Sequence, residues 1–467
     1  MSRIKYLLKN TLIFALGMIG TKIINFILVP LYTNALLPHE YGIADLVFTL
    51  GTVIIPILIL NVNEAILRFS LDKHCEQNKI MSIGIISILI MIIIATCLYP
   101  LLKLYPPFAE YSVNIFIYII SSGCCTVFMY NLRGKELLVR FSIGNIINAI
   151  MVASMNILFL VVLNFGLKGY FLAYTIANVV TMLFAFFAGN VISALRNFSI
   201  DKKLMGEMLK YALVLIPNSF MWWIMDSSDR VMLTAFSGVA ITGIYAISGK
   251  LPSLVSVISS IFNQAWNYSA IKENESSDKL EYINNVFDYL VIIVIAVASV
   301  ILLVLKPFMS VYVEASYYDA WKYTPPLIVG TVILVLSTFL SSSYTVNKDS
   351  KGFLFSALTG AAINIILNFA LIPIIGAFGA AIATCIAYAS VFLYRYFDTK
   401  KYLKLKIFTV RHILEFTCLI VATIATYLGF VGYFIIAIEL IALIIISRKQ
   451  LQAMLSLVKG VFKKKQK

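Results

Sequence analysis

The charged side chains that could do chemistry in this 467-residue chain stand inside long apolar runs, where inserting an ionised group costs about 2.5–3.5 kcal/mol. Lys22 lies about twelve residues into the first run, roughly 18 Å from its inner end at 1.5 Å per residue. Lys250 lies about eleven residues into the eighth. Neither ammonium group can easily snorkel from there, so each is expected to face a polar cavity, which would suit an anionic substrate, or a buried ion pair that only fixes helix packing. Asp226 and Arg230 are one helical turn apart with Asp229 beside them, and Glu64 and Arg68 repeat the spacing. A self-neutralising i, i+4 bridge competes with a cavity role at both places. Asp45 opens the second run on the outer side. Asp45, Glu64, Arg68, Asp226 and Asp229 are the candidates for ion coupling or gating. Trp222 and Trp223 read as packing residues rather than as a sugar-stacking platform, and Trp266 and Trp321 as interfacial belt residues. Glu415 and Glu439 receive no role.

The elements that must position these groups follow from composition. With 61% hydrophobic and 13% charged residues, and a mean hydropathy of +0.93, the chain is not a soluble globule. Its apolar residues come in blocks of about twenty, which excludes a barrel of alternating strands. The blocks predict about fourteen helices, near 10–32, 43–66, 80–102, 109–131, 143–164, 168–190, 208–233, 239–262, 285–306, 320–345, 353–375, 377–397, 408–429 and 431–447. The first block is span-length and lacks a small-residue cleavage site, so no cleavable leader is expected. Lys and Arg cluster in alternate loops, which places those loops and both termini in the cytoplasm. The net charge of +15 is therefore an orientation signal spread between spans, not the one-sided basic face of a nucleic-acid binder. The six Cys read as packing residues, and the three His are too scattered to hold a metal. No phosphate-binding Gly-rich loop occurs, so neither ATP hydrolysis nor any other cofactor is expected.

Gly166, Gly169, Ala173, Ile176 and Ala177 recur with the same spacing as Gly376, Gly379, Ala383, Ile386 and Ala387, and Glu40-Tyr41-Gly42-Ile43 is echoed by Ile241-Thr242-Gly243-Ile244. Offsets of about 200 residues imply two parallel six-helix lobes, 1–200 and 201–400, followed by two further helices and a basic tail over 401–467. The expected fold is thus an all-α polytopic membrane protein with a cleft between lobes. A rocking transporter fits it better than a channel, for which no selectivity filter is present.

Phe14-Ala15-Leu16-Gly17, Lys22, Phe26, Pro30-Leu31-Tyr32-Thr33, Glu40-Tyr41-Gly42, Asp45 and Arg68-Phe69 resemble the opening of the Wzx-type oligosaccharide flippases, and Pro217, Asp229-Arg230, Gly243, Tyr245, Lys250 and Trp266 resemble their helices seven and eight. Tyr268 stands near an expected proline. The resemblance extends over essentially the whole chain. It places the chain in the multidrug/oligosaccharidyl-lipid/polysaccharide exporter superfamily. It implies flipping of undecaprenyl-pyrophosphate-linked oligosaccharide repeat units across the bacterial cytoplasmic membrane for O-antigen, capsule or exopolysaccharide assembly, by a transporter and not an enzyme. It also implies coupling to a proton or sodium ion, membrane lipids as surroundings, and a polymerase and glycosyltransferases as pathway partners, with no nucleic acid. Lys22, Arg230 and Lys250 map onto the family's cationic cavity, and the last two helices are similar to a pair that holds the prenyl tail in lipid II flippases. A multidrug or cation antiporter of the same superfamily, which needs an acidic cavity, and a polytopic polymerase or glycosyltransferase, which needs a large outer loop or clustered carboxylates, are the rival readings.

Overall fold

Long apolar segments in lipid can satisfy their backbone only within themselves, and the chain does so with helices; no strand occurs among the described residues. The computed structural model describes residues 20, 23–72, 76–272, 279–347, 349–402, 405–454 and 456. The helices are α1 Ile23–Ala35, α2 Pro38–Leu58, α3 Val62–Ser70, α4 Gln77–Leu104, α5 Ser112–Gly134, α6 Leu138–Asn156, α7 Gly166–Ala188, α8 Lys202–Ser237, α9 Val239–Ser248, α10 Lys250–Lys272, α11 Lys279–Tyr312, α12 Thr324–Asn347, α13 Ser350–Thr399, α14 Val410–Ala425 and α15 Phe430–Ile446. Among the described residues ten helices are long and apolar enough to cross a membrane, or eleven if Phe430–Ile446 and the Arg448–Met454 helix, bent by 68°, form one span. The protein is a multi-pass, all-α membrane protein.

Two compact units divide the chain, one comprising Met1–Trp223 with Gly238–Gly243, the other Ile224–Ser237 with Ile244–Lys467. Four departures from simple helices matter for function. The second apolar block breaks between α2 and α3, where Leu60 and Asn61 both take positive φ. The end of α6 widens into a π-helix over Ile157–Val162. The eighth block, expected as one helix over 239–262, is interrupted at Gly249. α13 contains two arms, 350–374 and 377–399, joined by non-helical Ile375 and Gly376.

The sequence repeat has the same structural meaning in both copies. Gly166 and Gly376 adopt φ of +54° and +56° at the start of their helical segments, a region open to glycine without a Cβ penalty. Three residues on, Gly169 and Gly379 lie against the preceding helix: a Cβ would come 2.9 Å from Phe159 Cβ in one copy and 2.6 Å from the Leu371 carbonyl oxygen in the other. The second echo is also a close approach. A Cβ on Gly42 would lie 2.1 Å from the Val239 carbonyl oxygen, and one on Gly243 2.0 Å from that of Pro38.

Cations in each unit meet carbonyls or carboxylates at helix ends. Lys135 Nζ (2.7 Å) and Asn131 Nδ2 (3.4 Å) donate to the Gly189 carbonyl, and Arg140 donates to that of Ala188 at 2.6 Å, which satisfies the exposed C-terminal carbonyls of α7. In the second unit Asp349 caps α13 by accepting from the Gly352 N–H at 2.9 Å, and its other oxygen accepts from Tyr402 at 2.8 Å and Lys401 at 2.9 Å. The Gly352 amide first, then Lys401 and Tyr402, hold the Asp349 carboxyl well below its ordinary range. α14 and α15 are fastened to α11 through polar contacts: Ser299 donates to Glu439 at 3.1 Å, and Arg411 and His412 meet Asp288 at 2.5 and 2.9 Å.

Gly379→Ala is expected to destabilise the second unit by about 1–3 kcal/mol through overpacking, read as a lower unfolding midpoint in detergent, whereas Gly206→Ala, where a Cβ meets nothing within 4 Å, should be neutral or mildly stabilising. The depressed Asp349 carboxyl contributes stability present above its unfolded value of about 3.9 and lost as pH falls below it. Asp349→Asn should therefore lower the unfolding midpoint at pH 7, and the gap to wild type should close in a series taken below about pH 4.

Candidate functional site

In the second unit, the end of α8 meets both arms of α13 through a buried polar network. Asp226, Ser228 and Asp229 lie within one turn of α8; Asn364 and Asn368 are one turn apart on the first arm, and Thr384 and Tyr388 one turn apart on the second. The i, i+3 spacing of Asp226 and Asp229 and the i, i+4 spacings of the two pairs on α13 put each pair on one helix face. The Asp229 side chain is 4% exposed. Its Oδ2 accepts from Tyr245 Oη at 2.6 Å and Thr384 Oγ1 at 3.3 Å, while Oδ1 accepts from the Arg230 N–H at 2.9 Å. Asn364 Oδ1 accepts from Ser228 at 3.2 Å and from Asn368 Nδ2 at 2.8 Å, and Asn364 Nδ2 donates to Thr384 Oγ1 at 3.4 Å. Asn368 Oδ1 is buried with no donor. Asp226, exposed one turn earlier, accepts from Tyr388 Oη at 3.2 Å. A carboxylate, two amide oxygens and a hydroxyl, one oxygen unsatisfied, form a hard-donor set of the kind that holds a cation or accepts a proton.

Lys250 opens α10 at the break rather than sitting within a continuous helix. Pro252 cannot donate a backbone N–H, so the Ser248 carbonyl loses its partner four residues on. Thr324 Oγ1 stands in for it at 3.2 Å, sharing its one proton with the Ala320 carbonyl at 3.0 Å. Lys250 and Arg230 are half-buried. Lys22 lies outside the described residues.

In the first unit, Asn61 manages the α2–α3 break: its N–H donates to the Pro56 carbonyl at 2.6 Å and its side-chain amide to that of Ala212 at 3.2 Å. Glu64 does not pair with Arg68, which is exposed. Glu64 accepts instead from Tyr130 Oη at 3.0 Å, and Asn63 Oδ1 beside it is buried with no donor. Asp45 is half-buried on α2. Trp223 stacks with Phe220 at 5.9 Å and donates to the Thr49 carbonyl at 2.9 Å, which makes it a packing residue. Trp266 departs from the belt expectation: it is 3% exposed, stacks on Phe339 at 4.5 Å and donates to Ser342 at 3.0 Å. Trp321 takes the Lys306 ammonium over its ring at 4.0 Å. The network residues missing from the sequence reading, Ser228, Asn364, Asn368, Thr384 and Tyr388, are uncharged. The available signal was a pair of asparagines one turn apart inside an apolar block.

The sequence family described as polysaccharide biosynthesis protein matches residues 7–267, more than half of the chain. No curated protein matches it in sequence. Among solved structures, the lipid II flippase MurJ in an inward closed conformation superposes with a TM-score of 0.67 at 13% identity, covering 94% of this chain and 100% of that one. An inward-facing multidrug resistance transporter of the MATE family and MOP superfamily gives 0.64 at 17% identity, over 82% and 95% of the two chains. A MOP superfamily transporter from Pyrococcus furiosus, described as having a binding pocket of reverse polarity, gives 0.58 at 14% identity, over 84% and 95%. At these identities the likeness establishes the fold.

Thr324→Val should leave the buried Ser248 carbonyl unsatisfied and destabilise the second unit by about 1–3 kcal/mol. Thr324→Ser keeps the hydroxyl and should retain most of the unfolding midpoint.

Proposed function

From the chain's membership of the polysaccharide biosynthesis protein family, we propose that it flips undecaprenyl-pyrophosphate-linked oligosaccharide repeat units across the bacterial cytoplasmic membrane, from the inner to the outer leaflet. Its six-helix halves, 1–200 and 201–400, alternate access by rocking, with both termini in the cytoplasm and the last helices over 401–467 outside the repeat. The product then passes to a polymerase of the same pathway. Lys22, Arg230 and Lys250 hold the pyrophosphate and acidic sugars, because cations in a low-dielectric cavity discriminate for anions and against cationic drugs.

The observation that carries the coupling mechanism is the Asp229 network. A carboxylate 4% exposed, linked through Thr384 and Asn364 to the orphan amide oxygen of Asn368, can hold one sodium ion or proton, and α8, α9 and both arms of α13 adjust around the occupied or empty site. One elementary charge moved through about 100 mV supplies roughly 2.3 kcal/mol, enough to bias the cycle several-fold. Asp226 and Asp45 are the secondary candidates, and Glu64 and Arg68 take a gating role.

Two experiments test the reading. In a flippase-null strain, Lys22→Ala and Lys250→Ala should each abolish export at matched protein levels; wild-type export from both removes the cationic cavity. In proteoliposomes with an imposed sodium or proton gradient, the gradient should accelerate wild type, and Asp229→Asn should erase the response with Asp226→Asn and Asp45→Asn affected less. A wild-type rate indifferent to either gradient replaces ion coupling with product removal as the driving force.

A further inference from the structure

At the junction of α13 and α14 the second unit contains a cavity of ≈ 320 Å³. Phe392, Ile407, Phe408, Ile413, Phe416 and Ile420 form its apolar lining. The two polar side chains that also border it are already satisfied. Thr417 donates to the Ile413 carbonyl at 2.8 Å, and the His412 ring nitrogens meet the Ile407 carbonyl at 2.5 Å and Asp288 at 2.9 Å. A cavity whose polar groups are all engaged offers water no partners and favours an apolar occupant.

The rim is built differently. Phe408 packs edge-on against Tyr396 at 4.8 Å, and the Lys400 ammonium rests over the Tyr396 ring at 4.2 Å and over Phe397 at 4.8 Å. Lys406, next to the cavity residue Ile407, is exposed and is anchored through its backbone N–H to Asn284 at 2.9 Å. The neighbouring cations are spent elsewhere: Lys401 on Asp349 and Asp398, and Arg411 on Asp288. Lys400 and Lys406 have no acidic partner among the described residues. An apolar recess thus ends at an aromatic rim beside two lysines that have no counter-charge among the described residues.

We propose that this recess is a binding site for an anionic membrane phospholipid, with one acyl chain in the cavity under Phe408 and the headgroup phosphate on Lys400 and Lys406. Charge complementarity selects the head, and burial of methylenes against Phe416 and Ile420 holds the chain. The site lies outside the Asp229 network and uses none of the residues assigned to transport. The lipid acts there as a clamp between the second arm of α13 and α14.

Native mass spectrometry and thermal unfolding of the full chain in detergent, with added phosphatidylglycerol or phosphatidylcholine, test this without any transport readout. Phosphatidylglycerol should bind and raise the unfolding midpoint, phosphatidylcholine much less. Lys400→Gln combined with Lys406→Gln should weaken phosphatidylglycerol binding about tenfold or more. Ile413→Trp, which fills the cavity while leaving both lysines, should displace the chain and lose the response as well. Equal shifts from both lipids, or wild-type affinity in the double lysine variant, would overturn the assignment. Undecaprenyl phosphate displacing phosphatidylglycerol at lower concentration would also overturn it, by making the site one for the carrier lipid.

Discussion

A hydrocarbon solvent answers no backbone carbonyl or amide, and that constraint organises this protein more than any single contact. Each place where a helix stops being a helix within an apolar block must import a hydrogen-bond partner. Asn61 and Thr324 do so at the two best-defined breaks, one with a side-chain amide to Ala212, the other with a hydroxyl to Ser248. The breaks fall beside the ionisable residues of interest: Glu64 follows Asn61 closely, and Lys250 follows Gly249 directly. Interrupting a helix frees polar backbone, and polar backbone is where a charged side chain can be tolerated.

The same economy explains how a carboxylate is kept inside the second unit. Asp229 is surrounded by hydroxyls, amides and a neighbouring backbone N–H, and each donor lies on a helix that packs for other reasons. Among the buried oxygens of the network, that of Asn368 has no donor.

Glycine contributes by removing atoms. Gly166 and Gly376 permit the turn that opens each copied helix, and Gly169 and Gly379 let that helix lie on its predecessor. Residues 42 and 243, which look like a faint echo in sequence, are each pressed by the carbonyl that precedes or begins the other's helix. The copies therefore share two requirements: a methyl group at residue 42, 169, 243 or 379 would occupy space already filled by side chain or backbone, and residues 166 and 376 need the positive φ open to glycine.

Fold class was legible in the chain because hydrophobic run length is a local property and lipid leaves the backbone one response to it. The repeat was legible for the same reason, since glycine spacing is written in consecutive residues. Charged candidates stood out against apolar surroundings, and so Asp226, Asp229, Arg230 and Lys250 could be named. Their partners could not. Thr384, Tyr388, Asn364 and Asn368 lie more than 130 residues from Asp229 in sequence, are uncharged, and acquire meaning only when α13 folds back on itself and lies against α8. Nor could periodicity reveal that the eighth block breaks before Lys250, that Trp266 is buried against Phe339, or that Glu64 turns to Tyr130 instead of Arg68. Sequence determined which segments are helical and where charge is costly; tertiary structure alone decided which groups meet, because hydrogen bonds between helices depend on the rotation and depth of each helix, and those are set by packing against neighbours distant in the chain.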